Sequence, residues 1–202
     1  MLEVDAPLNY FKVSAGRGLV YVMANQKTTT HWTRTSKTQL FLQTGKKNSP
    51  YEDNLDKSAR KPPPRSVWID RLGTAGWEEL EALSGTGEVY SWGVEAGKRN
   101  IKARKRMVQG NQLFLLLGST LELGFRILRT WKDEDLSEAI WGTRDWPLVY
   151  ALAGPVKYDI PKIEILEALE YSDGSIRGLT RPRETANVPQ FRELLQGRGG
   201  LP

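Results

Sequence analysis

Residues 139–152, AIWGTRDWPLVYAL, read as the end of a helix, a polar turn and the start of a buried strand. Two tryptophans, Trp141 and Trp146, stand five apart around Gly142, Arg144 and Asp145. A tryptophan brings a large flat apolar area and one N–H donor that needs a partner when buried. Two of them around a polar turn either pin that turn to the core or face a pocket. The preceding helix, DEDLSEAIWG, is opened by Asp133 and an acidic first turn and closed by Gly142.

On either side lie more strands and short helices. EVYSWGV (88–94) is strand-like and leads into the basic connection KRNIKARKR (98–106). NQLFLLLG (111–118) and LELGFRILRTW (121–131) are two strands separated by a tight Gly118–Ser119–Thr120 turn. PKIEILEALEY (161–171) reads as a helix with Pro161 at its start. Upstream, SVWID (66–70) reads as a strand and GWEELEALSG (76–85) as a short helix with Glu78 and Glu79 near its positive end. Strands joined by tight turns pair antiparallel. The pattern therefore predicts an α+β fold: a small, twisted, mostly antiparallel β-barrel with short helices packed at its ends. The alternation of strand and long helix that marks a Rossmann fold is missing, and no internal repeat is evident.

Four segments are predicted. Residues 1–45 form an N-terminal β-rich extension with the runs GLVYVMA (18–24) and QLFLQTG (39–45). Residues 46–65, KKNSPYEDNLDKSARKPPPR, have little apolar content and three consecutive prolines, which fits a linker. The main domain is 66–182, and 183–202 is a C-terminal tail with one short amphipathic helix that then frays.

The chain has 202 residues, 39% hydrophobic and 26% charged, which are ordinary globular values. Cysteine is absent, so there is no disulfide framework and no thiolate metal site. There is neither a signal-peptide pattern nor an apolar run long enough to span a membrane, so a cytoplasmic protein without membrane contact is expected.

The formal charge is +5, and its placement says more than its size. Lys98, Arg99, Lys102, Arg104, Lys105 and Arg106 fall within nine residues, and no acidic residue occurs from 96 to 121. Six cations in one connection repel one another unless an anion relieves them, which is the footprint of a phosphate-backbone contact. A solvated loop that merely aids solubility is the plainer alternative.

Catalytic patterns are missing. His31 is the only histidine, and without cysteine only carboxylates remain as the main metal ligands. SGTGEV and GRGG do not join a strand to a helix with phosphate-loop spacing. Asp133, Glu134 and Asp135 suit a helix N-terminus for structural reasons alone. The expectation is a binding module, not an enzyme, with no cofactor.

Aromatic faces at strand ends beside a positive surface suit base stacking, and such faces can hold a flipped base. Trp92 ends a strand just before the basic connection. The order of SWGVEAGKRNI, NQLFLLLG, LGFRILRTW and EAIWGTRDWPLVYAL resembles the EVE/YTH-like branch of the PUA-like superfamily. It is similar in particular to the EVE-like N-terminal DNA-binding domains of archaeal McrB-type, modification-dependent restriction systems. The resemblance covers about 66 to 165 and rests on order and spacing. It implies a barrel whose aromatic cage takes a methylated base, such as N6-methyladenine or methylcytosine, out of its strand. Trp92 and Trp141 correspond to cage walls and Trp146 to a floor or third wall, with Arg144 reaching a phosphate or a base edge. Tyr90 and Ser91 stand where YTH domains place a polar residue, which leaves the base identity open.

Three function classes follow. The first is a module that recognises a modified base in DNA and serves a AAA+ motor and nuclease subunit of a restriction complex. The second is a PUA-like RNA-binding module. The third is a protein-interaction domain or an enzyme without a familiar motif.

Overall fold

The computed structural model describes residues 10–15, 18–23, 38–171, 176, 178–183 and 186–202. His31 and most of the polar stretch 25–38 lie outside the described residues. The chain divides into two compact units, Met1–Lys37 and Thr38–Pro202. In the first, β1 (Tyr10–Ala15) pairs antiparallel with β2 (Gly18–Met23), Ala15 opposite Gly18.

The second unit begins with β3 (Leu40–Gly45), α1 (Pro50–Asn54) and a π-helical turn, Leu55–Ala59. Next come α2 (Arg65–Ser84), β4 (Val89–Val94), α3 (Lys98–Arg104), β5 (Gln112–Leu117) and β6 (Thr120–Lys132). Then follow α4 (Glu134–Trp141), β7 (Leu148–Pro161), α5 (Lys162–Ala168), β8 (Leu179–Thr180) and α6 (Val188–Arg198).

The sheet order is β4-β7-β6-β5-β3-β8. The fold is α+β as expected, but the sheet is mixed and its hydrogen bonding does not close into a barrel. β3 lies parallel to β5, because α1, α2, β4 and α3 supply the long crossover that a parallel pair requires. The other neighbours pair antiparallel. Register shifts recur along β6, and such irregularities bend a strand and tighten its twist. Gly124 lets this bend pack closely, since a Cβ there would lie 2.8 Å from Tyr158 and 2.9 Å from Phe114.

Both sheet faces are buried, which is why the strands read as nearly continuous apolar runs. Tyr90, Trp92, Leu113, Leu115, Phe125 and Tyr150 share one face with Leu55 and Ala59. On the other face, Phe114, Leu116 and Ile160 pack with Ile165 and Phe191 of α5 and α6. Beside them Val149 and Ala151 pack with Trp68, Trp77, Leu136 and Trp141 of α2 and α4.

Three sequence expectations are corrected. SVWID is not a strand: it opens α2 directly after Pro64, and Trp68 is fully buried near Trp131, ring centroids 6.1 Å apart. Gly73, with φ 73° and ψ 168°, kinks this helix before its GWEELEALS half. Residues 46–65 are not a linker between domains, because Leu55 and Ala59 are fully buried in the core and β3 is a strand of the main sheet. The compact unit therefore begins at Thr38 and not near residue 66. The tail after α6 does not fray, since the Tyr158 hydroxyl donates to the Gly200 carbonyl at 2.6 Å.

Among the described residues, no helix is long and apolar enough to cross a membrane.

Candidate nucleic-acid interface

β3 and β4 are separated by three strands in the sheet order, yet side chains of both line one cavity. The sheet curls until these strands approach, and α1 fills the gap. Its Tyr51 stands edge-on to Trp92 with ring centroids 4.8 Å apart, and its hydroxyl donates to the Gln43 carbonyl at 3.0 Å. Burial, reinforced by Glu122, pushes the Tyr51 phenol well above its ordinary pKa, so it remains a neutral donor.

The cavity holds about 330 Å³, within the range of small-ligand sites. Three aromatic residues, Tyr51, Trp92 and Trp146, contribute to its lining. Two buried polar atoms in its lining residues have no partner within the protein: Trp92 Nε1, a donor, and Gln43 Oε1, an acceptor. The Gln43 amide nitrogen donates to the Thr44 carbonyl at 3.3 Å. Trp68 and Trp77 also have buried indole N–H groups without partners, but of these tryptophans only Trp92 lines this cavity. An unpaired buried polar group is costly, and a ligand with a complementary edge would relieve it.

Asn54 and Ser58 hold the wall behind these rings. Asn54 Nδ2 donates to the Gly93 carbonyl at 2.9 Å. Trp141 Nε1 donates to Ser58 Oγ at 2.9 Å, and Ser58 Oγ lies 3.0 Å from the Ser91 carbonyl. Trp141 is 4% exposed and packs under β4, T-shaped to Trp146 at 5.7 Å. Gly93 makes this possible, because a Cβ there would lie 2.6 Å from Trp141 Cη2 and 2.9 Å from Trp146 Cβ.

The two tryptophans of the opening stretch thus have different tasks. Trp141 ends α4, with Gly142 in the left-handed conformation after it (φ 74°), and supports the wall from behind. Trp146 is half-buried and lines the cavity. Trp92 lines it too, at 1% exposure. Tyr51, Asn54 and Gln43 do not stand out in the sequence, because they fall in β3 and in the stretch with a linker's composition. Ser49-Pro50 followed by Glu52 and Asp53 is the helix-start signal that marks α1.

The basic stretch is a helix, α3, and not an irregular connection. Lys98, Arg99 and Lys102 are exposed on it, and Lys105 and Arg106 are exposed in the turn that follows it. Arg104 is partly buried, its Nε has no partner, and its charge reaches the buried Tyr150 phenol. Asn100 of the same helix lines the aromatic cavity and donates to the Glu95 carbonyl at 2.9 Å. Arg144 sits elsewhere. Its guanidinium meets Glu138 at 2.8 Å and Asp135 at 3.1 Å, and these carboxylates raise its pKa further.

No protein-family model matches the chain, and no curated protein matches it in sequence. Among solved structures, the N-terminal domain of Thermococcus gammatolerans McrB bound to m5C DNA matches 79% of this chain and 98% of its own. The TM-score is 0.63 and the sequence identity 13%. This chain has the fold of that McrB domain. At such low identity the likeness concerns the backbone, and the site chemistry of this McrB-like fold is carried by its own residues.

Proposed function

We propose that the protein binds DNA through α3 and takes a modified base, flipped out of its strand, into the aromatic cavity. The observation that carries this reading is a cavity lined by three aromatic residues, two of whose lining residues each hold a buried polar atom without a partner, the donor Trp92 Nε1 and the acceptor Gln43 Oε1. A cytosine or adenine edge offers both an acceptor and an exocyclic amine, so either base answers that pair. A base drawn from its strand is read in such a pocket by stacking and by hydrogen bonds to its edge. Trp146 supplies the stacking face, Tyr51 and Trp92 close the wall beside it, Trp141 holds Trp146 in place, and the cations of α3 take the phosphates. The McrB-like fold supports DNA over RNA, since the neighbour is bound to m5C DNA. On that likeness the partners served are a AAA+ motor and a nuclease subunit of a restriction complex, and the domain itself performs no catalysis.

The test is a titration at one fixed salt concentration with DNA duplexes carrying 5-methylcytosine, N6-methyladenine or no modification, and with the RNA counterparts. One modified DNA should bind about 10- to 200-fold tighter than unmodified DNA, the worth of one methyl-sized group in a fitted pocket. Equal affinity for every probe would leave only a basic surface. A preference for RNA would move the reading to a PUA-like RNA module.

A further inference from the structure

Among the described residues that line the aromatic cavity, Glu95 alone carries a charge. It follows β4 directly and is exposed. Asn100 of α3, which lines the same cavity, donates through Nδ2 to its backbone carbonyl at 2.9 Å and so ties its position to that helix. The Glu95 carboxylate itself has no hydrogen-bond or ion-pair partner among the described residues, although Lys98 and Arg99 follow it closely in the chain. Arg99 donates instead to the Thr180 hydroxyl at 2.7 Å. A negative charge beside a DNA site repels phosphate, so this side chain cannot serve the backbone. An ionised carboxylate only accepts hydrogen bonds. Its complement on a base is the exocyclic amine, as in the pairing of Glu with cytosine N4.

We propose that Glu95 is a specificity residue that takes the second hydrogen of the base's exocyclic amine, admitting bases modified on a ring carbon and rejecting those methylated on the amine. This rests on the modified-base reading, in which Gln43 Oε1 accepts the first hydrogen. Gln43 comes from β3 and Glu95 from the end of β4, the two strands that approach around this cavity. An unsubstituted amine satisfies both acceptors. A methyl group on the amine nitrogen removes one hydrogen and leaves one acceptor facing an apolar group, which is unfavourable for a group drawn out of water. 5-Methylcytosine keeps both hydrogens, whereas N4-methylcytosine and N6-methyladenine each keep one.

The experiment titrates, at one fixed salt concentration, duplexes that carry 5-methylcytosine, N4-methylcytosine, N6-methyladenine or no modification. The native chain should bind the 5-methylcytosine duplex about 10- to 150-fold tighter than the N4-methylcytosine duplex, the worth of one hydrogen bond to a charged group. Glu95→Met keeps the length of the side chain and removes both acceptor oxygens, and there the ratio should fall below about threefold. Loss of a negative charge strengthens binding to every duplex alike and cancels in the ratio. A ratio that persists in Glu95→Met, or a native chain that binds an amine-methylated duplex as tightly as the 5-methylcytosine one and both tighter than unmodified DNA, would overturn the role of Glu95 while the modified-base reading stands. Equal affinity of the native chain for all four duplexes would remove both.

Discussion

Gly93 and Trp141 meet so closely that a Cβ on residue 93 would lie 2.6 Å from Trp141 Cη2. This close approach fixes the distance between β4 and the end of α4, and with it the position of Trp146. Gly93→Ala should cost about 1–3 kcal/mol by overpacking, lowering the melting temperature by roughly 2–12 °C. It should also weaken binding to modified DNA by moving a cavity wall. An unchanged melting temperature would mean that the wall is not packed as described.

The indole N–H groups of Trp141 and Trp92 differ in their partners, so their phenylalanine variants should differ too. Trp141→Phe removes the N–H that the Ser58 hydroxyl accepts, and one such hydrogen bond is worth about 0.5–1.5 kcal/mol while the hydroxyl keeps its bond to the Ser91 carbonyl. Trp92→Phe removes an N–H that has no partner within the protein and should destabilise less. It should nonetheless lower affinity for modified DNA about 2- to 10-fold, the worth of one hydrogen bond. Thermal melts beside titrations check both, and the reverse order of stabilities would contradict the assignment.

Much of this architecture is legible in the sequence, for identifiable reasons. β4 to β7 carry apolar runs bounded by glycine or charge, and α4 has both its ends marked, by Asp133 and Gly142. SVWID is ambiguous because its centre, Val67, Trp68 and Ile69, suits either element; burial of Trp68 beneath the sheet decides for helix. Residues 50–59 look too polar for a core, yet Leu55 and Ala59 bury while Asn54 and Ser58 satisfy β4 carbonyls. The parallel pairing of β3 with β5 joins strands far apart in the chain and leaves no local signal. Of the candidate site, Trp92, Trp146 and the basic residues are readable, whereas Tyr51 and Gln43 depend on that long-range pairing.

Charge should separate α3 from the 143–145 turn. Neutralising Lys98 and Lys105 to glutamine should flatten the slope of log affinity against log salt by about 0.9 for each duplex phosphate left without its cation. Arg144→Gln should leave that slope unchanged, because Asp135 and Glu138 already hold this guanidinium. Equal effects from both changes would extend the interface onto that turn.

Asp133 links stability to pH. Burial alone raises its pKa, but hydrogen bonds from Arg71 and the Leu136 N–H, with the Arg71 charge, outweigh burial and hold it below the ordinary carboxylate value. A depressed folded-state pKa stabilises above the unfolded value of about 4 and loses that stabilisation as pH falls through the folded value. Asp133→Ala should therefore cost about 1 kcal/mol at pH 7 through the missing helix cap. The gap between the native and variant melts should narrow below about pH 4. A gap independent of pH would show that the carboxylate charge has no part in it.

The central claim is that a modified base fills the aromatic cavity and meets Trp92 Nε1. The most direct measurement is the indole N–H resonance of each tryptophan in nitrogen-15-labelled protein, with the Trp92 signal assigned by its disappearance in Trp92→Phe. Saturation with a duplex carrying 5-methylcytosine should move the Trp92 signal downfield as its N–H gains an acceptor. The Trp141 signal, already bonded to Ser58, and those of Trp68 and Trp77, which pack in the cluster under α2, should hold their positions. A Trp92 signal that stays in place while the DNA is fully bound would contradict the account.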